Sequence, residues 1–421
     1  MSCLSCHARA GGTPPVLLAR QPSARISSKL YLNRSKVYSS IAIMRWDSLR
    51  VEDDDTAGLG AGPAGAQQAL FARETVVTRT FDTPGFRGIT FHEVHARSII
   101  SKVPQASRMP FQWTINPYRG CSHACVYCFA RNTHTYLEFD SGHDFDSQVV
   151  VKVNAPELLR KELRSARWAG DHIAMGTNVD CYQRAEGRYQ LMPGIITTLT
   201  EARNPFSILT KGTLLLRDID LLGRAAEVTD VGLNVSVGII DKSLSRSVEP
   251  GTPSPDRRLA VCAALAGRGL QCGVLMGPVL PYLSDSPDQL AAAVRAIASA
   301  GARHVTPIVL HLRPGAREWF QRWLVQTHPE LVDAYSELYG ARAYAPKTYQ
   351  RQISEQVAEL AREYGVGRTT PAGARRVSGP FRGSGPGQRA GGPSRRSKEP
   401  SVGPEEISAA VAAEPEQLSL L

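Results

Sequence analysis

The chain has 421 residues, 42% hydrophobic and 21% charged, with eight cysteines. That composition leaves room for a large core with appendages and argues against a chain disordered throughout. Nowhere does an uncharged apolar run reach about 18 residues, so no membrane-spanning helix is expected. The formal net charge of +10 sits at the ends: of 49 basic and 39 acidic residues, 16 basic and 6 acidic lie in 1–50 and 367–421, and the remaining 33 and 33 balance. Bulk charge is therefore no argument for a nucleic-acid groove in the middle of the chain.

Residues 1–43 are basic, rich in Ser and free of acids. This is the composition of an organellar transit peptide, but nothing in the stretch is periodic enough to fold, and translation from Met44 is the reading preferred. Residues 1–66 are expected to be a disordered basic extension and linker, in which Cys3-x2-Cys6 carries no metal. From Phe86 the pattern becomes ordered, with 89–94 as an extended lead-in.

Short β-branched or apolar runs then alternate with longer amphipathic ones. The runs 112–116, 172–176, 206–210, 232–237, 272–277 and 304–310 are predicted strands. Helices are predicted over 155–167, 190–202, 215–226, 255–267 and 287–300. Strands separated by helix-length segments mean βαβ units and a parallel sheet. Six units are two short of a closed eight-fold barrel, so the sheet should curve and stay open on one side, its chemistry gathered at the C-terminal ends of the strands.

Directly after the first strand comes Asn116-Pro117-Tyr118-Arg119-Gly120-Cys121-Ser122-His123-Ala124-Cys125-Val126-Tyr127-Cys128-Phe129-Ala130-Arg131. Cys121, Cys125 and Cys128, spaced Cys-x3-Cys-x2-Cys, offer three thiolates to one soft object. A structural zinc site wants four N/S ligands, and His123 makes a Cys3His zinc site the chief chemical alternative. Three cysteines on an iron–sulfur cubane leave one iron open. Clustered thiols with no disulfide framework also fit a reducing compartment, so a cytoplasmic location is expected.

At these residues the chain resembles the radical S-adenosylmethionine (SAM) superfamily, with Tyr127 as the aromatic before the third cysteine. The longer string Gly120–Arg131 resembles the spore photoproduct lyase-like branch. The resemblance spans roughly 85–340. It implies a partial (β/α)6 barrel over 86–340, a [4Fe-4S] cluster on Cys121, Cys125 and Cys128, bound SAM, and a one-electron reductant of flavodoxin or ferredoxin type. By analogy it also implies lyase chemistry on nucleic acid and a place in DNA repair. A zinc-stabilised nucleic-acid-binding module and an electron-transfer iron–sulfur protein remain the alternatives.

Further site candidates stand at later strand ends. Thr177 and Asn178 follow the second strand where the superfamily often has a Gly-Gly-Glu segment, which this chain lacks. Lys211 ends the third strand, where an unpaired lysine would suit the SAM carboxylate. Asn234 and Ser236 share the inner face of the fourth strand by period-two alternation. The resemblance implies SAM contacts for Thr177, Lys211 and Ser236, and Tyr127, Phe129 and Asn178 are the further candidates for the cofactor site. Cys181 would stand near the rim as a hydrogen donor, although related sequences carry proline there. Glu249 is expected to pair with Arg257 or Arg258 as loop scaffolding. His311, Arg313 and Pro314 follow the sixth strand, within reach of a substrate. The aromatics Trp319, Phe320, Trp323, Tyr335, Tyr339, Tyr344 and Tyr349 have the spacings of a packed core.

Residues 341–366 are expected as a helical extension and 367–421 as a disordered tail, basic over 367–398. Gln417-Leu418-Ser419-Leu420-Leu421 resembles the peptide by which bacterial repair enzymes grip the sliding clamp, which makes that clamp a candidate partner.

Overall fold

Strand formation follows the apolar runs. The computed structural model describes residues 76–104 and 109–367, so the basic extension of 1–66, the tail beyond Gly367 and the Gln417–Leu421 peptide lie outside the described residues. The strands are Val77–Thr80 (β1), Thr90–Val94 (β2), Ile100–Lys102 (β3), Trp113–Ile115 (β4), Tyr118–Arg119 (β5), Gln148–Lys152 (β6), Ile173–Met175 (β7), Phe206–Thr210 (β8), Val231–Ser236 (β9), Cys272–Val279 (β10) and His304–Val309 (β11). The six predicted strands are β4 and β7 to β11. They lie side by side in chain order and parallel, in a seven-stranded sheet ordered β11-β10-β9-β8-β7-β4-β3. Its edges β11 and β3 do not pair, so the sheet remains open, as the count of six units requires.

Helices Ala155–Leu163, Leu191–Glu201, Ile219–Val228, Pro255–Gly267 and Pro287–Ser299 fill the predicted intervals. Two of them start where serine and proline dictate. Ser254 accepts from Arg257 N, and Ser286 forms a capping box with Gln289, each followed by proline at the first helical position. Strands covered on both faces read as continuous apolar runs; Ile173, Ala174 and Met175 are all essentially inaccessible. Each fully buried Val, Leu or Ile of this core contributes about 1.5–3 kcal/mol.

Two features depart from the prediction. β3 joins the sheet antiparallel to β4. The first crossover is also enlarged, because β5 and β6 combine with β1 and β2 in a second sheet ordered β1-β2-β6-β5. The lead-in expected at 89–94 is β2, and it pairs in parallel with β6. All of the described residues fall within one compact unit. The open edge at β11 is tied at its start, where Gly367 pairs with Arg303 and Val305, and at its far end by a bridge between His311 and Tyr344. Pro307, midway, has no N–H to offer a further strand. Phe320, Trp323, Tyr335 and Tyr339 are buried, as their spacing predicted.

Candidate functional site

The cysteine loop is held from three directions. Gly120 has φ +85°, and a Cβ there would lie 2.7 Å from the Gln148 carbonyl oxygen, so only glycine fits this turn. The fully buried Arg131 donates from Nε and Nη2 to the Cys125 carbonyl at 3.1 and 2.9 Å, and from Nη1 to that of Gly142 at 2.7 Å. It also pairs with Asp146 at 2.9 Å and lies 5.3 Å from the Phe145 ring and 4.9 Å from the Trp319 ring. Gln183 accepts from Ser122 N at 3.0 Å and donates to the Gly120 carbonyl at 2.9 Å. On the remaining side, Val126 N reaches the Val248 carbonyl and Gly251 N that of His123.

Nine of the ten residues assigned from sequence to the cluster, to SAM or to hydrogen donation line one cavity of about 150 Å³ at the C-terminal ends of the parallel strands: Cys121, Cys125, Cys128, Tyr127, Phe129, Thr177, Asn178, Lys211 and Ser236. The three thiols are free of disulfides. Burial pushes all three pKa values up, that of Cys125 to about 12, and the sulfurs raise one another. Backbone N–H groups of His123 and Ala130 point at Cys121 and Cys128 and favour their charged form. Buried thiols of this kind ionise only against a cation sharing their cavity. Among the described residues no three Cys, His, Asp or Glu side chains converge as they would around a single ion. The ring of His123 faces the Asp180 carboxylate at 3.4 Å. Three soft donors around one space, with no fourth protein ligand, fit a cubane with an open iron better than a closed zinc site.

The other wall is positive and polar. Lys211 places its Nζ 5.8 Å from the Tyr127 ring centroid and forms no ion pair among the described residues. Gly176, with φ +77° and space for a Cβ only 1.8 Å from the Leu209 carbonyl oxygen, turns Thr177 and Asn178 into the cavity. The Ser236 hydroxyl donates to the Gly277 carbonyl at 3.0 Å. Behind Tyr127, Glu249 accepts from its hydroxyl and pairs with Arg258 at 2.6 Å, the scaffolding anticipated from sequence.

Asp180 was not singled out, yet it ties three segments together. It accepts from Lys211 N at 2.6 Å, Thr210 Oγ1 at 2.7 Å and Tyr182 N at 2.8 Å. Burial alone would raise its pKa, but His123 and these donors hold it at about 2. The only sequence signal was an acid in a tight turn after a strand.

Cys181 requires a correction. Its side chain is fully buried and is not part of the cavity wall; it lies among Asp180, Glu186 and Cys121, whose charges join burial in raising its pKa. The chain turns at Asp180, so the next side chain points back into the core. Conversely, Met109 lines the cavity without having been singled out, and of the three residues expected within reach of a substrate His311 lines it while Arg313 and Pro314 do not. A larger void of about 1150 Å³ lies beneath, between the N-terminal halves of the strands, and Asn234 faces it while Ser236 faces the upper cavity.

The radical SAM superfamily profile matches residues 115–306. Uncharacterised proteins of Mycobacterium tuberculosis (strain ATCC 25618 / H37Rv) and Mycobacterium bovis are each 52% identical over 288 residues, covering 68% of this chain and 85% of theirs. Among solved structures, spore photoproduct lyase complexed with dinucleoside spore photoproduct matches with a TM-score of 0.51 at 15% identity, over 66% of this chain and 80% of that one. At that identity the likeness is one of fold. The chain belongs to the radical SAM superfamily, whose members use a [4Fe-4S] cluster and S-adenosylmethionine.

Proposed function

We propose that Cys121, Cys125 and Cys128 hold the cluster, that Lys211 receives the SAM carboxylate, and that Tyr127, Phe129, Thr177, Asn178 and Ser236 line the remainder of the SAM site. One observation carries this assignment: all nine side chains meet in a single cavity at the strand ends. Together the bound cluster and SAM supply one-electron cleavage of a sulfonium, the source of a hydrogen-abstracting 5′-deoxyadenosyl radical. The protein's own part is positional. Arg131 and Gln183 fix the cysteine loop from both sides. Lys211 presents its charge beneath Tyr127, and the Glu249–Arg258 pair holds that tyrosine in place. The apolar Leu209, Leu275 and Ile308 keep bulk water from the same space.

For substrate we infer a lesion or modified base in nucleic acid, handled by lyase-like chemistry in the cytoplasm as a repair step. The support is the fold shared with a lyase whose structure holds a dinucleoside photoproduct, together with the Phe129 and His311 rings in the cavity wall. Among the described residues no helix is long and apolar enough to cross a membrane. Superfamily members require a one-electron reductant, here a flavodoxin or ferredoxin. The candidate sliding-clamp peptide Gln417–Leu421 lies outside the described residues.

Anaerobic reconstitution followed by dithionite and SAM tests the assignment. The expected outcome is 5′-deoxyadenosine and methionine, with neither formed when Cys125 is replaced by Ala. Zinc in place of iron, or a cluster that leaves SAM intact, would favour the binding-module or electron-transfer reading instead.

A further inference from the structure

The cavity wall holds one polar ring to which the cofactor assignment gives no task. His311 follows β11, and its backbone is pinned on both sides. Leu310 N donates to the Val279 carbonyl at 3.0 Å, the Tyr339 hydroxyl to that of Leu310 at 2.6 Å, and Leu312 N to that of Ala343 at 2.6 Å. Two aromatic rings pack against the imidazole: the Tyr344 centroid lies 5.6 Å away, stacked at 25°, and the Phe129 centroid 5.9 Å away, tilted at 37°. Tyr344 is held in turn by Arg313, whose Nη2 donates to the hydroxyl at 2.9 Å. With Tyr344 stacked on a face and Phe129 packed against the ring, the edge of the imidazole is the part free to hydrogen-bond.

The chemistry of that edge is defined. Burial, reinforced by Arg313, holds the His311 pKa at about 4, so the ring is neutral at physiological pH and carries one N–H. The nearby Val309 carbonyl favours the proton on the ring nitrogen that faces it. The second ring nitrogen has no protein partner among the described residues, and in the neutral tautomer it is a bare acceptor. The residue shares the cavity with Cys128 and Phe129. A weak base clamped in one orientation is poorly suited to proton abstraction and well suited to accepting one hydrogen bond from a planar N–H donor.

We propose that His311 is the substrate-recognition residue of this cavity, accepting a hydrogen bond from a ring imide N–H such as pyrimidine bases carry. The inference rests on the nucleic-acid reading above and narrows it to bases with a protonated ring nitrogen. A site built to hydrogen-bond such a group rejects an analogue lacking it, because a buried polar atom is then left without a partner.

The test uses the reconstituted full chain with SAM bound and a UV-irradiated single-stranded thymidine oligonucleotide. Fluorescence anisotropy compares it with the same oligonucleotide built from N3-methylthymidine. Methylation is expected to weaken binding to the unaltered protein by about tenfold. His311→Phe keeps the ring column but removes the acceptor, and should bind both oligonucleotides equally and weakly. His311→Gln, which restores an acceptor, should recover part of the discrimination. The proposal is overturned if the unaltered protein does not distinguish the two, or if His311→Phe still does. SAM affinity is measured alongside; a fall in it with discrimination intact would place His311 against the cofactor and overturn the proposal too. If SAM is cleaved but neither oligonucleotide binds, the nucleic-acid reading itself fails, and this proposal with it.

Discussion

Replacing Lys211 by Met removes the positive charge from the cavity wall while keeping a side chain of similar length. Two unit charges about 4 Å apart interact by about 4 kcal/mol at an effective dielectric constant near 20. Lys211 is only half-buried, and a cofactor also sheds water on binding, so the working figure is the net value of a hydrogen bond to a charged group, about 1.5–3 kcal/mol. That corresponds to about a 10- to 150-fold weaker dissociation constant for SAM. Equilibrium dialysis of anaerobically reconstituted protein measures it, with decarboxylated SAM as the second ligand. In the unaltered protein the two ligands should differ by the chelate contribution plus the lysine contribution, and in Lys211→Met the difference should shrink by the lysine share alone. Iron content is the control: Lys211 forms no ion pair with the cysteine loop among the described residues, and its charge is only one of several influences on the Cys125 and Cys128 thiols, so most of the iron should be retained. SAM affinity within about twofold of the unaltered protein, less than 0.5 kcal/mol, would refute the assignment of Lys211.

Three further outcomes follow from the geometry. Gly176→Ala would place a Cβ 1.8 Å from the Leu209 carbonyl oxygen at φ +77°, so thermal stability and SAM affinity should fall together while visible absorbance shows the cluster retained. Cys181→Ala should leave SAM cleavage and substrate turnover intact, because the side chain is outside the cavity; loss of product with SAM cleavage preserved would restore the hydrogen-donor role. His134, His172 and His311 are all held at about 4 by burial, below the unfolded value near 6.5. Unfolding therefore takes up protons between these values. Stability should be full above pH 6.5 and fall as the pH drops towards 4, by up to about 4 kcal/mol per pH unit where all three contribute; denaturant melts at pH 7 and 5 check it, and equal midpoints would contradict it.

The barrel was legible because six apolar runs alternate with five helix-length intervals, and tertiary packing had no reason to override so regular a pattern. The second sheet was not. Gln148-Val-Val-Val-Lys152 reads as an isolated apolar run, and its partner Thr90–Val94 lies far upstream, so the pairing leaves no local trace. That Cys121, Cys125 and Cys128 share one cavity was readable from their spacing, as was the inward direction of Ser236 from strand alternation. What spacing could not give was the clamp around the cysteine loop: Gln183 reaches residues 61 and 63 positions away, and no periodicity encodes such a contact. Cys181 was misplaced for a related reason. It follows the second strand as expected, but the turn at Asp180 decides which way the side chain points, and that turn is fixed partly by two donors about 30 positions away, Thr210 Oγ1 and Lys211 N.

The account depends on three thiols leaving one iron for the cofactor. Mössbauer spectra of the reconstituted protein, recorded before and after addition of SAM, examine this directly. One iron site should stand apart from the others and change its parameters when SAM binds. Irons that are all alike and indifferent to SAM, or a protein that takes up zinc and no iron, would contradict it.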